Sequence, residues 1–302
     1  MRLRMQRCDQ RDELEHGTWE LAIVGRALDD RGRHARQFSD EFSRDTVLLE
    51  YDPQELRLHS EGEAIECDDL AAWIAVRRPD SLLLDSTTLG FAEIALCCKV
   101  ATVLQFAPLS LLYVEPMEYF TPRGDSTVHR RDFDLSDEIP GYSAIPGSAL
   151  LLDETLQQEV VFFLGYEGHR LDRAFEELSL APRYCSAVLG VPAFQPGWEM
   201  DTFANNVRVI GERRMQGGIA FCGADNPAAA LELLLDRRRA KGSDEDMFVA
   251  PIGTKPHGIG AALFAAMFDN VGVLYDHPQR RAGRTAEISH WHLFDVDFSV
   301  ST

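Results

Sequence analysis

Basic residues are scarce in this sequence. Its 302 residues include 30 Lys and Arg but 49 Asp and Glu, so the formal net charge is −19 with histidine neutral. Non-specific affinity for nucleic acids comes mostly from basic contacts to phosphates, so we expect no binding to duplex nucleic acid. The same repulsion disfavours an anionic membrane surface. A small anionic ligand remains compatible with this charge, because a pocket can be locally positive within an acidic protein.

Long hydrophobic runs and paired cysteines are also missing. No stretch of about 18 uncharged apolar residues occurs, so we expect no membrane span. The six cysteines include no C-x-x-C pair, and Cys97-Cys98 lies within an apolar run. This usage is typical of a reducing compartment, and we expect a cytoplasmic protein. Residues 1–15 lack the apolar segment of a secretory signal, and we interpret them as a frayed or helical lead-in.

Short apolar runs alternate with helical patterns along most of the chain, which is typical of βαβ units with a parallel sheet. We therefore predict an α/β fold of two Rossmann-like halves with mainly parallel sheets. The strand-like runs are Leu21–Gly25, Thr46–Tyr51, Ser81–Asp85, Leu109–Val114, Glu159–Gly165, Cys185–Val191, Met247–Ala250 and Val271–Tyr275.

The two halves share a sequence rhythm. Each begins with a strand that ends in glycine, and each has a late strand that runs into a small polar turn. An apolar helix and a strand ending in Tyr-x-x-Pro follow in both, at Tyr113–Pro116 and at Tyr275–Pro278. Self-similarity of this kind indicates an internal duplication, so we predict pseudo-symmetric halves in which Ser81–Asp85 superposes on Met247–Ala250.

This rhythm also sets the predicted domain boundaries. The first half covers residues 16–121 and the second half covers residues 158–302. Between them, residues 122–157 contain two Pro-Gly stops, many charges and little periodicity. Such a segment is typical of a linker or an exposed excursion.

The run Met247–Phe268 predicts an anion-binding turn between a strand and a helix. Gly253 permits close backbone approach, and the free N–H groups of a helix start attract an anion. Thr254 adds a hydroxyl, Lys255 adds a positive charge, and His257 adds a further hydrogen-bond donor. A plain tight connection with a solvated lysine is the alternative. The G-x-x-x-x-G-K-[ST] spacing of a P-loop is absent.

The same stretch resembles a known family. Residues Pro251–Ala266, followed by Val271–Tyr275, are similar to the late strand, turn and helix of CARF-type domains. These domains are Rossmann-like sensors of cyclic oligonucleotides in prokaryotic immunity, and tandem halves of this kind would be similar to the SAVED domain. The resemblance implies that Gly253, Thr254 and Lys255 bind the ligand.

Two departures from the family pattern limit what the resemblance implies. The usual double glycine is replaced by Ile252-Gly253, and the first half has Thr88-Leu89 where a threonine and a lysine would stand. A fainter echo of the motif covers Asp85–Tyr113.

The first half has an equivalent turn after its late strand. Asp85 ends that strand, and Ser86, Thr87 and Thr88 follow it. These residues are ligand-binding candidates, and Asp85 is also a candidate acid or base. The alternative is an N-cap with hydroxyl turn residues, since Asp, Ser and Thr favour that position.

The loop after the first strand of each half supplies further candidates. Gly25 and Arg26 follow the first strand, and Gly165 and Arg170 occupy the corresponding loop in the second half. In a Rossmann-type sheet these loops lie at the ligand edge, where the arginines would neutralise an anion. Neither loop matches G-x-G-x-x-G, so we predict no dinucleotide cofactor, nor any other cofactor.

Glu115, near the end of a strand, is the second candidate acid or base. His290 and His292 lie in a terminal strand-like run, and alternation places both on one face. A metal would need a third ligand such as Asp276 or His277. Histidines on an apolar face are more often structural, so we predict no metal site.

These observations favour binding of a small anionic, nucleotide-like ligand by a sensor or regulatory subunit, which the resemblance places in prokaryotic defence. An enzyme acting on a nucleotide or related metabolite is one alternative. An acidic scaffold or interaction subunit of a multiprotein complex is another. A protein partner or a homodimer fits each of these functions.

Overall fold

A computed structural model describes residues 1–106, 108–119, 135–153, 155–241 and 245–298. The chain divides into two compact units: unit 1 is Met1–Tyr119 with Ala282–Thr302, and unit 2 is Phe120–Arg281. This division differs from the predicted boundaries, which placed the whole C-terminal segment in the second half. The reason is that the last strand pairs along the strand that begins at Leu109, within unit 1.

Sixteen strands and seven α-helices are assigned in the described residues. The strands are β1 (Arg2–Cys8), β2 (Trp19–Val24), β3 (Ser43–Leu48), β4 (Glu50–Asp52), β5 (Arg57–Ser60), β6 (Glu63–Glu66), β7 (Leu82–Asp85), β8 (Leu109–Tyr119), β9 (Ser136–Glu138), β10 (Glu159–Phe163), β11 (Cys185–Gly190), β12 (Ile219–Cys222), β13 (Met247–Pro251), β14 (Val271–Val273), β15 (Gln279–Arg280) and β16 (Thr285–Asp297). The helices are α1 (Asp30–Phe42), α2 (Leu70–Ala75), α3 (Phe91–Leu104), α4 (His169–Glu177), α5 (Trp198–Glu212), α6 (Pro227–Lys241) and α7 (Lys255–Met267).

Unit 2 is built on a five-stranded parallel sheet, here called sheet 2, with the order β12-β11-β10-β13-β14. All residues of β11 and β13 are buried, as is typical of parallel strands covered on both faces. The chain moves outward from β10 through β11 to β12 and then returns to β13 on the other side of β10. The strand order therefore reverses between β10 and β13, and open α/β sheets bind ligands at such a reversal.

Unit 1 contains a six-stranded mixed sheet, here called sheet 1, with the order β1-β16-β8-β7-β2-β3. The four strands β8, β7, β2 and β3 are parallel, while β16 runs antiparallel to both β8 and β1. The order reverses here between β2 and β7. The predicted α/β class with parallel sheets is confirmed, and the pseudo-symmetry of the halves stays a prediction.

The N-terminal residues form β1, so the expectation of a frayed or helical lead-in is wrong. All seven residues of β1 pair with β16, from Arg2 opposite Asp297 to Cys8 opposite Trp291. This pairing joins opposite ends of the chain. Local sequence carries no signal for such a partner, because the strand is polar and its backbone bonds are satisfied only by β16.

Each unit has a hydrophobic core where its first parallel strand meets the following helix. In unit 1, Phe38 of α1 packs in one cluster with Val24 of β2. In unit 2, Leu171 of α4 packs in one cluster with Phe162 of β10. In both clusters the strand contributes every second residue, because successive strand residues point to opposite faces of the sheet.

The middle of the predicted linker at 122–157 contacts the end of β14. Ser143 donates its backbone N–H to the Tyr275 carbonyl at 3.0 Å, and Ser148 accepts the N–H of Val273 at 3.1 Å. Ile145 is fully buried. This segment therefore runs alongside the end of β14 and does not project away from unit 2. Residues 122–134 of the prediction lie outside the described residues.

Two further features concern the whole described chain. None of its helices has both the length and the apolarity needed to cross a bilayer. All six cysteines are free, and the four that are buried are Cys97, Cys98, Cys185 and Cys222.

Candidate ligand-binding site

The candidate site is the carboxyl edge of sheet 2, where the loops after β10 and β13 meet. Gly165 and Tyr166 follow β10, and Gly253, Thr254 and Lys255 follow β13. All five residues are partly exposed. The structure therefore brings the two sequence-predicted loops of the second half together at the point where the strand order reverses.

The two loops touch through their backbones. A Cβ atom added to Gly165 would lie 2.9 Å from the Ile252 carbonyl oxygen, and one added to Gly253 would lie 2.8 Å from the Leu164 carbonyl oxygen. Cβ atoms in real proteins essentially never approach another heavy atom within 3.0 Å. Glycine is therefore required at both positions, and it leaves bare backbone at this edge.

Two consecutive asparagines of α5 fix the loop after β10. The Asn206 side-chain amide donates to the Gly165 carbonyl at 2.8 Å, and the Asn205 amide donates to the Tyr166 carbonyl at 2.8 Å. Both asparagines are buried. The sequence analysis missed this role, although asparagine is unfavourable inside a helix and two in succession indicate a tertiary partner.

Thr254 forms the N-cap of α7. Its hydroxyl accepts the His257 N–H at 3.4 Å and donates to the Ala224 carbonyl at 2.7 Å, which ties the turn to the loop after β12. Pro256 has no N–H to satisfy, as suits the first helical turn. The Thr254 hydroxyl is thus occupied within the protein, where the sequence analysis expected a ligand contact.

His257 lies beneath this edge and not on it. Its side chain is fully buried, and its Nε2–H donates to the Gly223 carbonyl at 2.9 Å. Burial lowers the pKa of His257 to about 4, against the opposing effect of hydrogen bonds to the Gly223 and Cys222 carbonyls. A neutral, enclosed imidazole does not donate to an anion at the edge, so the predicted ligand contact from His257 is replaced by a structural one.

Cys222 is the other chemically notable neighbour of His257. Its sulfur lies 3.2 Å from His257 Nε2, but this nitrogen carries the hydrogen donated to the Gly223 carbonyl and cannot accept the thiol proton. Burial raises the pKa of Cys222 to about 12, so the thiol stays protonated at neutral pH. The thiolate is the nucleophile in cysteine chemistry, so the protonated Cys222 thiol does not act as a nucleophile at neutral pH.

Arg170 positions the loop after β13. Its guanidinium forms two hydrogen bonds with the Asp276 carboxylate, at 2.7 and 2.5 Å, and a third with the Ile252 carbonyl at 3.1 Å. Glu167 lies 3.7 Å away. Since Arg170 is buried and its charge is balanced internally, it supports the Gly253 turn and does not itself face an anion. Asp276 was considered only as a metal ligand from the sequence.

The first-half candidates cluster at the carboxyl edge of sheet 1. Asp85 accepts N–H groups from Thr87 and Thr88 and the Thr88 hydroxyl at 2.6 Å. The Gly25 N–H donates to the Thr88 hydroxyl at 2.9 Å. Ser86 is fully buried, and its hydroxyl has no hydrogen-bond partner among the described residues. These bonds close the turn on itself. The N-cap of α3 is Gly90, so Asp85 closes the turn but is not a helix cap.

Asp85 and Arg26 differ sharply in exposure. Burial raises the pKa of Asp85, although hydrogen bonds from Thr88 and Thr87 oppose the shift, and no part of this side chain reaches solvent. Arg26 is exposed, and its guanidinium lies 2.5 Å from Glu50. Asp85 is therefore a turn-forming residue, while Arg26 has a carboxylate partner of its own.

Glu115 lies between the two histidines of β16. His292 Nε2 is 2.9 Å from one carboxylate oxygen, and His290 Nδ1 is 3.2 Å from the other. Burial alone would raise the pKa of Glu115, but hydrogen bonds with His292 and His290 and the charge of Arg7 hold it below its usual value. Both histidines lie on one face, as alternation predicts, and their acidic neighbour is Glu115 rather than Asp276.

One group of potential metal ligands occurs among the described residues. Donor atoms of Asp52, Glu55 and His59, on the β4–β5 hairpin, lie within 4.8 Å of one another. The Asp52 carboxylate already accepts the N–H groups of Gln54 and Glu55, so closing the turn accounts for this arrangement.

Comparisons with known proteins add little to this geometry. No protein-family model and no curated protein matches the chain. Among solved structures, CobK precorrin-6A reductase aligns over 87% of this chain and 90% of its own, with 12% identity and a TM-score of 0.24. A TM-score this low carries no argument, so the site rests on the chain's own residues.

Proposed function

We propose that unit 2 binds a small anionic, nucleotide-like ligand at the carboxyl edge of sheet 2 and acts as a sensor or regulatory subunit. The observation that carries this proposal is the meeting of two glycine loops, at Gly165 and Gly253, where the strand order reverses. Open α/β sheets bind ligands at that point, and here the bare backbone of both loops is partly exposed.

The chemistry of this edge suits a phosphate attached to a base. The start of α7 carries a partial positive charge, and Lys255, its first residue, adds a full one. Tyr166 is partly exposed beside Gly165, and an aromatic ring gives a base a stacking surface. The fixed loops mean that little ordering is needed when the ligand binds.

The buried state of the candidate acids and bases favours sensing over catalysis. The Asp85 carboxylate is hydrogen-bonded within its own turn, and the Glu115 carboxylate is hydrogen-bonded to two histidines. His257 is neutral and enclosed. A general acid or base must reach the proton that it transfers, and these three groups do not face open solvent. With the resemblance of Pro251–Tyr275 to CARF-type domains, we extend the proposal to a sensor in prokaryotic defence.

A nucleotide screen tests this proposal. The full chain is heated with nucleoside mono-, di- and triphosphates and with cyclic mono- and dinucleotides, and at least one is expected to raise Tm. Lys255→Ala should then lower the affinity for that nucleotide roughly tenfold or more, because a hydrogen bond to a charged group is lost. Arg239→Ala, which removes one exposed charge from α6, is the matched control and should bind normally.

Two results would count against the proposal. If no nucleotide shifts Tm, or if Lys255→Ala binds the ligand as tightly as the parent protein, the site is elsewhere or absent. Recovery of the ligand after incubation separates sensor from enzyme: unchanged ligand supports sensing, and a converted product supports the enzyme alternative.

A further inference from the structure

A cavity of about 410 Å³ lies at the opposite end of sheet 2 from the candidate site. Its walls include Leu180, Pro182, Arg183, Arg213, Arg214 and Gln216. Residues 180–183 precede β11, and residues 213–216 precede β12, so the cavity lies at the amino-terminal ends of these two strands. The five residue steps of β11, at roughly 3.3 Å each, separate its two ends by roughly 16 Å.

The backbone holds the two walls of this cavity together. The Gln216 N–H donates to the Pro182 carbonyl at 3.2 Å, which joins the segment before β11 to the segment before β12. Arg214 adopts a left-handed backbone conformation with φ of 53° where the chain leaves α5. This turn brings Arg213 and Arg214 to the same cavity as Arg183.

The three arginines differ in how their charges are balanced. Arg213 is held by Asp172 at 2.9 Å and by Glu176 at 3.8 Å. Arg183 lies over the Tyr184 ring, 4.9 Å from its centroid. Among the described residues, neither Arg183 nor Arg214 has a carboxylate within ion-pair distance. Two exposed arginines thus line one cavity without an ion-pair partner among the described residues, in a chain whose net charge is −19.

We propose that this cavity is a second anion-binding site, specific for the phosphate group of a small phosphorylated metabolite. The planar donors of arginine match phosphate oxygens two at a time, and Leu180 and Pro182 give an apolar wall for a carbon skeleton. Asp172 and Glu176 hold Arg213 at the wall of the cavity. The site goes beyond the proposed nucleotide site, because it uses different residues at the other end of the strands.

Labelling with phenylglyoxal, which modifies arginine, tests the site residue by residue. The full chain is labelled with and without sodium pyrophosphate at constant ionic strength, and modified peptides are quantified by mass spectrometry. Pyrophosphate should slow the labelling of Arg183 and Arg214 at least threefold and leave Arg239 unchanged. Arg239 is the internal control, since it lies on α6, is exposed and is paired with Asp236. Unprotected Arg183 and Arg214, or equal protection of Arg239, would overturn the proposal.

Calorimetric titration with pyrophosphate separates this site from the nucleotide site. The double variant Arg183→Gln/Arg214→Gln should bind pyrophosphate at least tenfold more weakly, while Lys255→Ala keeps most of the affinity. Arg33→Gln/Arg239→Gln makes the same charge change at two exposed arginines paired with Asp30 and Asp236, and is the matched control. If Lys255→Ala removes binding and the arginine variant does not, the cavity proposal fails and the nucleotide site stands; no pyrophosphate binding at millimolar concentration also overturns the cavity proposal.

Discussion

His257 shows how burial decides the state of a single residue. From the sequence it is a polar residue in the first turn of a helix, and a ligand contact is a reasonable expectation. In the fold, α7 places His257 beneath the loop that follows β12, where its Nε2–H donates to the Gly223 carbonyl. Its Nδ1 is enclosed without a hydrogen-bond partner among the described residues. The imidazole is therefore kept neutral.

This burial predicts a pH dependence of stability. The pKa of His257 is about 4 when folded, below its ordinary value of 6.5. A lowered folded-state pKa gives stability that is present above pH 6.5 and is lost as pH falls toward 4. Between pH 7 and pH 5 the free energy of unfolding should fall by about 2 kcal/mol through this group.

Urea unfolding of the parent protein and of His257→Gln at the two pH values measures this effect. Glutamine keeps a side-chain donor and does not titrate. The variant should therefore show a smaller loss of stability between pH 7 and pH 5. An equal loss in both proteins would show that His257 is not the group responsible.

The buried ion pair of Arg170 and Asp276 predicts a loss of stability that depends on whether one partner or both are removed. Arg170→Met leaves the Asp276 carboxylate, whose side chain is 1% exposed, without its cation. Breaking a buried pair in this way costs about 3–5 kcal/mol. The double variant Arg170→Met/Asp276→Leu should recover part of that loss, because no buried charge is left. A double variant less stable than Arg170→Met would contradict this account.

At the scale of elements, the contact between the β10 and β13 loops requires glycine. Gly253→Ala should move the loops apart, because its Cβ would lie 2.8 Å from the Leu164 carbonyl oxygen. We expect a destabilisation of about 1–3 kcal/mol and weaker binding of any ligand of this edge. Thermal unfolding and the nucleotide titration measure the two effects.

Gly211 of α5 is the matched control for Gly253. An added Cβ there would have no neighbour within 4 Å, and alanine is the better helix former by about 1 kcal/mol. Gly211→Ala should therefore leave binding unchanged and keep or raise Tm. A loss of stability equal to that of Gly253→Ala would show that the close contact is not the cause.

The sequence predicts elements best where one local pattern dominates. The apolar runs predicted at Ser81–Asp85 and Met247–Ala250 match β7 and β13 to within one residue at each end. The short edge strand β12 and the β5–β6 hairpin were missed, because their residues carry no strong period. Two contacts of the site are also not carried by any local pattern. The position of Gly253 beside Gly165 depends on the order of the strands in the sheet, and the pairing of Arg170 with Asp276 joins residues 106 positions apart.

At the scale of the whole molecule, the two sheets share one arrangement of parallel strands. The order β3-β2-β7-β8 in sheet 1 corresponds to β11-β10-β13-β14 in sheet 2. Arg31 and Arg170 each occupy the second position of the helix after the central strand, and each is buried. These features support the internal duplication, which stays a prediction. Where unit 2 has α5, β12 and α6, unit 1 has the β4–β6 strands and α2.

The pairing of basic residues predicts that the protein does not bind duplex DNA. Arg237 lies 2.5 Å from Glu159, Arg239 lies 2.8 Å from Asp236, and Arg281 lies 2.8 Å from Asp137. Neutralising about 6–10 phosphates needs a continuous basic surface, and these charges are already balanced. Fluorescence anisotropy with random duplex at about 0.15 M salt, where the Debye length is about 8 Å, should show no micromolar binding. Salt-sensitive micromolar binding would contradict the prediction.

The most direct test of the central claim is hydrogen–deuterium exchange of the full chain, read by mass spectrometry. The exchange is compared with and without a nucleotide that raises Tm. Peptides covering residues 163–168 and 250–258 should exchange more slowly in the presence of the nucleotide, because its phosphate contacts the backbone of both loops. Slower exchange confined to other segments, with these two loops unchanged, would show that the carboxyl edge of sheet 2 is not the ligand site.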